Sequence, residues 1–512
     1  LIFFLIIFSL LINQYYGNFG IFPVDSFSHF DTGHRILLGE HPFKDYWIIS
    51  GPIVDYIQSI FFYFFGVNWQ AYLLHASFFN TILTISTFIV LTNFNFNIYY
   101  SFIYSLLFSI LAYPSSGTPF VDHHSTFFSL LGIYCLVLAI KNEKKIYWIL
   151  LPILFTCAFL SKQVPSSYVI ISVICILGIF SLSQKKFYWI KYSFLSAIFF
   201  VFIVLVFGKF YGITFKSFWE QYILYPQSIG IERFSNFNFT FRGIIDHFKF
   251  IYLAFIPIFY ISLRNLFLDI GYIKKKNFHY FLILFLFTFS LILHQVLTRN
   301  QTFIFFLIPI LFAFSHIYLI NYKINLNYIF SIILIVFCVL ITFKYHLRFN
   351  EGRKFHELNY VNFELYSEGK NIDKKFLGLK WITPKFEGTP KQEVLLINQL
   401  IDYLNTDNRK KMLLTNYSFF SAVLNKKIFS PTRWHIGDGT DYPMKGNRYM
   451  DSYKNLLIYL IKKNDIEVIY SIQPLPETSL IYNYISKNCF KEKKILEKLI
   501  SYEIIKCGEI NG

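Results

Sequence analysis

Long apolar runs, separated by short polar connectors, fill the first two-thirds of the chain at roughly 1–14, 69–91, 98–113, 124–140, 146–161, 166–182, 192–209, 249–264, 279–297, 302–320 and 328–343. Stretches of this kind cross a bilayer as helices, because a helix satisfies its own backbone hydrogen bonds where no water can. They predict about eleven spans, the shorter ones extending into flanking residues to reach across. Within the connector after the first run, Pro52 to Gly66 is apolar at helical spacing but carries Asp55 and Gln58, which predicts a helix lying in the membrane interface. Beyond 343 the pattern changes. Helix-like stretches at 391–406, 451–463 and 490–500 alternate with strand-like runs at Met412 to Thr415 and Ile466 to Ile472, the pattern of a small α/β domain. The expected fold class is therefore mainly α, a polytopic transmembrane helical bundle over 1–343 with an α/β domain over 344–512. No internal repeat is seen.

Charge gives the bundle an orientation. The chain is 55% hydrophobic and only 15% charged, where soluble domains carry about 25%. Its net charge of +17 is shared between the part before 344, whose lysines lie in short connectors, and the tail. Lys141, Lys144, Lys145, Lys185, Lys186, Lys191, Arg264, Lys274, Lys275, Lys276 and Lys323 fall on one side of the predicted bundle, whereas the short loops opposite hold only Lys162 and Arg299. The basic side is expected to be cytoplasmic. The first outer loop (about 15–68), a second long loop (about 210–248) and the tail then face the exterior or periplasm of a multi-pass plasma (bacterial inner) membrane protein. Nine of the 11 acidic residues before 344 come out on that face, which the basic count did not assume. Lysines placed this way reflect membrane orientation, and no RNP, zinc-finger or helix-turn-helix signature points to nucleic acid. Cys135, Cys157, Cys175 and Cys338 lie in apolar runs as small hydrophobes, Cys489 and Cys507 lie in the tail, and no CxxC spacing marks a zinc site. The chain begins at Leu1 inside an apolar run, so further N-terminal residues are expected.

Candidate chemistry gathers in the first outer loop, where Asp25, Asp31, Glu40, Asp45 and Asp55 stand with Arg35, Lys44 and three histidines. Carboxylates packed beside a first span mark an active face. Asp25 can accept a proton from an attacking hydroxyl, or simply begin a helix. A helix starting there puts His29 on the same face and Asp31 off it. Asp122 and His123 precede the fourth span and could serve substrate or metal, although the adjacent His123 and His124 cannot face one way on a helix and no complete metal site is evident. Lys162 and Arg299 run against the orientation bias, and a lipid phosphate is a physical reason for that. Snorkelling to ordinary headgroups is the plain alternative.

The first loop resembles a known family. Asp25 with His29 four residues on and Gly39 beyond, then His-Pro-Phe-Lys44-Asp-Tyr, then Gly-Pro-x3-Tyr and a helix ending Phe-Phe-Gly66, is similar to the first periplasmic loop of GT-C glycosyltransferases, in the protein mannosyltransferase and aminoarabinose transferase branch. Phe159-Leu-Ser-Lys162-Gln and the Arg299 segment leading to Pro309 are similar to later motifs of that family. The resemblance covers about 1–343. It implies an inverting transfer of a sugar from a polyprenyl-phosphate carrier, with Asp25 as general base; His29, Asp31, Lys44, Asp122, His123, Lys162 and Arg299 are the candidate substrate-binding residues by their own position and charge. The chain has Asp25-Ser26 where the family commonly has Asp-Glu, and it lacks the Trp-Trp-Asp-Tyr-Gly signature of oligosaccharyltransferases, which argues for a monosaccharide donor.

The expected activity is therefore a membrane glycosyltransferase acting on an acceptor hydroxyl of a lipid, glycan or protein. Attack at the anomeric carbon expels a phosphate, so one base and cationic stabilisation suffice. No cofactor is assigned, and a divalent metal stays open. Two rivals are a transporter or flippase of lipid-linked glycans, which calls for charges deep within spans and paired broken helices, and a glycan polymerase or ligase with key residues late in the chain.

Overall fold

The computed structural model describes residues 1–235, 240–298, 303–322, 328–384, 386–472 and 480–511. The helices in order are α1 (Ile2–Gly17), α2 (Pro23–Leu37), α3 (Pro52–Phe65), α4 (Trp69–Asn93), α5 (Ile98–Leu111), α6 (Val121–Asn142), α7 (Lys145–Ser161), α8 (Gln163–Gln184) and α9 (Tyr188–Phe210). There follow α10 (Phe215–Phe218), α11 (Tyr225–Ser235), α12 (His247–Leu268), α13 (Lys276–Thr298), α14 (Leu307–Asn321) and α15 (Tyr328–His346). Among the described residues eight helical stretches are long and apolar enough to cross a membrane, with four shorter apolar helices besides. Three of the shorter ones, α1, α7 and α14, coincide with the remaining runs expected to span. The fourth, α3, is the helix expected to lie in the interface. It turns Asp55, Gln58 and Ser59 inward and leaves Ile60, Tyr63, Phe64 and Phe65 exposed, which suits an apolar surrounding.

The chain forms two compact units. One comprises Leu1–Gly17, Ala76–Leu205 and Asn236–Phe355 and is all helical. Here α6 packs on α7, α12 on α14 and α8 on α13. Small and polar residues join the helices, as expected where hydrocarbon removes the hydrophobic drive for association. Asn80 Nδ2 donates to the carbonyls of Ser9 (2.9 Å) and Ser109 (3.1 Å), and Asn13 Nδ2 to Ser77 Oγ (2.9 Å) and to the carbonyl of Gly117 (3.1 Å). The lysine-rich connectors converge at one end of this unit: Lys186 and Lys276 both pair with Glu143, at 2.8 and 3.3 Å, and Lys276 also donates to the carbonyl of Lys141. α9 leaves its apolar window unburied.

The other unit comprises Asn18–His75, Val206–Ser235 and His356–Gly512. Where the sequence places a boundary at 343/344, compactness groups the first loop with the tail. The tail holds β1 (Ser367–Glu368), β2 (Lys380–Trp381), α16 (Pro390–Thr406), β3 (Lys411–Thr415), α17 (Phe420–Leu424), α18 (Met450–Lys463), β4 (Val468–Ile472), β5 (Phe490–Leu496) and β6 (Leu499–Ile504). Its main sheet has the order β3-β4-β6-β5, with β3 and β4 parallel and the other pairs antiparallel. Thr389 caps α16 in a capping box with Gln392, and Pro390 sits at the first helical position. Strand alternation divides β3 between two cores: Leu413 faces the one shared with α16, Met412 and Leu414 the one shared with α18.

The stretch 490–500 is a correction, a β-hairpin where a helix was expected. Lys491, Glu492, Lys493 and Lys494 favour a helix locally, but β5 pairs with β6, which is itself paired to β4, and this tertiary ladder decides. The lysines then protect an exposed edge strand. Cys489, at the start of that hairpin, is joined to Cys507 in a disulfide.

The α16 core extends into the first loop. Phe27 of α2 is fully buried, with its ring 4.8 Å from Phe419 and 5.7–5.8 Å from Trp69, Phe376 and Trp381 between centroids. Phe27→Ala removes the ring that joins loop to tail and is expected to cost about 3–5 kcal/mol. Thermal melting of the solubilised protein measures this, and an unchanged midpoint would mean that the loop and tail are not one core.

Candidate active site

Proline opens α2. Pro23 occupies its first turn, Phe22 before it is extended, and the Phe22 N–H donates to Ser26 Oγ at 3.0 Å. Asp25 lies in that first turn, where the helix dipole favours a carboxylate, and is half-buried. Gly39, at φ +80°, follows the helix end. α2 crosses α3 closely at Gly33, where an added Cβ would lie 2.7 Å from Gln58 Cγ.

Most of α2 is buried, so its charged groups must find partners. Asp25, His29 and Thr32 recur at i, i+4 and i+7 along one face. His29 Nδ1 and Thr32 Oγ1 each lie 2.6 Å from Asp55 Oδ1 of α3, and Arg433 Nη2 from the tail donates to Asp55 Oδ2 at 2.6 Å. Burial and the Arg433 charge hold the His29 imidazole below its ordinary range against the pull of Asp55, so the ring is neutral and Nδ1–H is the donor. On another face Arg35 donates to Glu40 at 2.7 Å and lies 3.7 Å from Asp31, with its guanidinium over the Tyr46 ring. Asp31 is pushed up to about 7, because burial outweighs an arginine shared with Glu40. Asp45 accepts from Lys463 of the tail at 2.6 Å and from the His41 N–H at 2.9 Å. Lys44 donates to the carbonyl of Tyr211 at 3.1 Å.

Four of the loop's five carboxylates, Asp31, Glu40, Asp45 and Asp55, are thus engaged in ion pairs inside this unit. The sequence shows the cluster of acids but not their partners. Arg433 and Lys463 lie some 400 residues away, and nothing local to either marks it.

In the helical unit, Asp122 in the first turn of α6 meets Lys162, whose Nζ lies 2.7 Å from Asp122 Oδ2. His294 of α13 approaches the other oxygen, Nε2 to Oδ1 at 3.4 Å. Lys162 stands at the break between α7 and α8, and its carbonyl accepts from Ser125 (3.1 Å) and Ser166 (2.6 Å), which satisfies backbone freed by the interruption. His123 is buried, with Nε2 3.1 Å from Ser115 Oγ and its ring against Phe127 and Phe355. His294 was not singled out from the sequence, though a histidine in an apolar helix is the available signal. Arg299 lies outside the described residues. Among the described residues no group of three or more His, Cys, Asp or Glu side chains is placed to hold a metal ion.

No protein-family model matches the chain, and no curated protein matches it. Among solved structures it is similar to ArnT from Cupriavidus metallidurans in the apo state, at 11% identity and TM-score 0.46, over 97% of each chain. The same protein bound to undecaprenyl phosphate aligns at 10% identity and TM-score 0.45, over 97% of each chain. It is also similar to the Archaeoglobus fulgidus oligosaccharyltransferase, at 12% identity and TM-score 0.42, over 91% of this chain and 68% of that one. These likenesses assign no residue, and the reading of the site rests on its own geometry.

Asp31 provides a test of the local electrostatics. Its raised value means that the folded state holds a proton the unfolded chain releases near pH 4, so its ionisation weakens folding as pH rises from about 4 to 7. Asp31→Asn is free of that penalty and should be more stable than the parent at pH 8, by on the order of a few kcal/mol, with the difference vanishing near pH 4. Melting curves at the two pH values decide. A variant less stable than the parent at pH 8 would show that the Asp31–Arg35 pair outweighs burial.

Proposed function

We propose that the chain is an integral-membrane inverting glycosyltransferase that moves a sugar from a polyprenyl-phosphate carrier to an acceptor hydroxyl on the outer face of the membrane, with Asp25 as general base. The observation that carries this reading is the environment of Asp25: a half-buried carboxylate in the first turn of a helix whose face is fixed one and two turns on by His29, Thr32 and Asp55. A base must be held still and still reach solvent or substrate, and this arrangement suits both needs. The acceptor hydroxyl attacks the anomeric carbon, Asp25 takes its proton, the bond to the carrier phosphate breaks, and the phosphate leaves with the electron pair. Lys162 is the cation proposed for that phosphate. An ammonium has three N–H donors, of which Asp122 occupies one, and its side chain is 19% exposed. Arg299 is proposed as its partner from the sequence alone. Lys44, Asp31 and His29 are proposed to shape the donor pocket, and Asp122 and His123 the acceptor side. The carrier is proposed as a membrane lipid met within the bilayer.

The outward orientation is supported by the clustering of lysines about Glu143 and by the Cys489–Cys507 disulfide, which fits a tail in an oxidising compartment. Tyr360, 94% exposed, reports on it. Tyr360→Cys should react with a membrane-impermeant thiol reagent in intact cells, and labelling only after lysis would reverse the topology.

A second reading draws on one observation. The Lys162–Asp122–His294 group at a helix break is the kind of buried ionisable cluster that a flippase of lipid-linked glycans would use. Chemistry separates the two, since a transferase releases polyprenyl phosphate in detergent, where no membrane remains to cross. Asp25→Asn keeps the side chain's size and removes the proton acceptor, so transfer should fall by roughly 10²–10⁴-fold. Binding of the donor should change far less. Near-parental release by Asp25→Asn protein at equal abundance would remove Asp25 from the role.

A further inference from the structure

The tail segment from Ser430 to Tyr442, to which the sequence attaches no chemistry, is held from several sides within its unit. The Trp47 N–H donates to the carbonyl of Pro431 at 2.8 Å, and Arg35 Nη2 donates to that of Ser430 at 2.8 Å. Asn416 exchanges two hydrogen bonds with the backbone of His435, at 2.8 and 3.1 Å. Asp441, 2% exposed, accepts from the Ile436 and Tyr442 N–H groups, and Tyr225 donates its hydroxyl to the carbonyl of Gly439.

So fixed, the segment delivers Arg433 to one place. Its guanidinium, 3% exposed, bonds Asp55, which bonds His29 and Thr32 on the face of α2 that carries Asp25. Asp25 lies one helical turn before His29 on that face. Asp55, once buried, needs a cation, but stability alone does not call for an ion pair at this place. Arg433 Nε and Nη1 meet no acceptor among the described residues, and a buried ion pair is commonly matched or bettered by apolar side chains of equal volume. What a directed charge pair supplies is a fixed relative position.

From this chain of contacts we infer that Arg433 is a positioning residue for Asp25: through Asp55 it sets the rotation and height of the α2 face that bears the base. The inference rests on the reading of Asp25 as the base.

A pH signature distinguishes positioning by charge from mere structural support. The titratable and charged groups about His29 are Asp55 of α3, Arg433 of the tail, Tyr72 of α4, and Asp25 and Asp31 of its own helix. Arg433 is one of the two influences holding the imidazole neutral. Without it, His29 takes up a proton at higher pH and replaces the lost cation beside Asp55.

The full-length protein is assayed in detergent with radiolabelled polyprenyl-phosphate sugars and membrane extract of the producing cells, from pH 6 to pH 8. Arg433→Gln should lower kcat about 10²-fold at pH 8, the scale of an ångström-sized misplacement, with the donor KM within about threefold. The deficit should shrink at pH 6, Arg433→Lys should recover part of the rate, and Lys410→Gln, at an exposed pair with Asp465, should match the parent. Arg433→Gln within about threefold of the parent throughout, or a deficit constant with pH and not relieved by lysine, overturns the inference. If Arg433→Gln does not fold, Asp55→Asn with Arg433→Gln, which leaves no lone buried charge, decides instead. Transfer below about a tenth of the parent supports the inference, and parental transfer overturns it. Asp25→Asn in the same series separates the two ideas: an active Asp25→Asn sinks the base reading and this inference with it, whereas an inactive Asp25→Asn beside an active Arg433→Gln sinks this inference alone.

Discussion

Everything in the loop-and-tail unit depends on the cost of burying charge. A carboxylate taken from water without a partner costs more than most single interactions return, so each of Asp31, Glu40, Asp45 and Asp55 imposes a demand that the chain must meet nearby. Arg35 meets part of it within the loop, from one helical turn and five residues away. The remainder is met from the tail: Arg433 to Asp55, Lys463 to Asp45, and Lys427 at 3.7 Å from Glu40. With Phe27 buried among tail aromatics, these pairs make the first loop and the tail one folded body.

The same constraint, in hydrocarbon, organises the helical unit. Lys162 interrupts two helices and frees its own backbone carbonyl, which Ser125 and Ser166 both satisfy, while its ammonium goes to Asp122. Asn80 and Asn13 likewise direct their amides at carbonyls and hydroxyls of neighbouring helices. Polar groups deep in an apolar bundle are therefore joints, and the Lys162–Asp122–His294 joint is distinguished by carrying ionisable groups at a helix break.

How much of this was legible follows from the range of each signal. Apolar runs are local, and every run expected to span falls on a helix. The Pro23 start and Gly39 end of α2 are local too. Periodicity alone foresees that His29 shares a face with Asp25. What was not legible is pairing at a distance. The acids of the first loop stand out in the sequence but, Arg35 apart, their cations do not, because those lie in the tail among 27 lysines and arginines with no motif to single out three. The hairpin at 490–504 failed for the same reason: Lys-Glu-Lys-Lys has helical propensity in isolation, and only the ladder to β6 makes it a strand. His294 was hidden by its setting, a single polar side chain in a run read for its hydrophobicity.

These pairings bear on what the tail is for. A domain that merely followed the membrane helices could be joined to them by a linker, with its own closed core. Here the core is not closed: Phe27, Phe30, Trp69 and Tyr72 belong to the α16 core, and Trp47 to the α18 core. Removing the tail would expose those rings and leave Asp45 and Asp55 without their cations. Equally, removing the loop would leave Arg433 and Lys463 without their carboxylates. Neither part can bury its charges alone, so the first loop and the tail fold as one body, and a tail without a motif is still required for the carboxylates of the loop it holds.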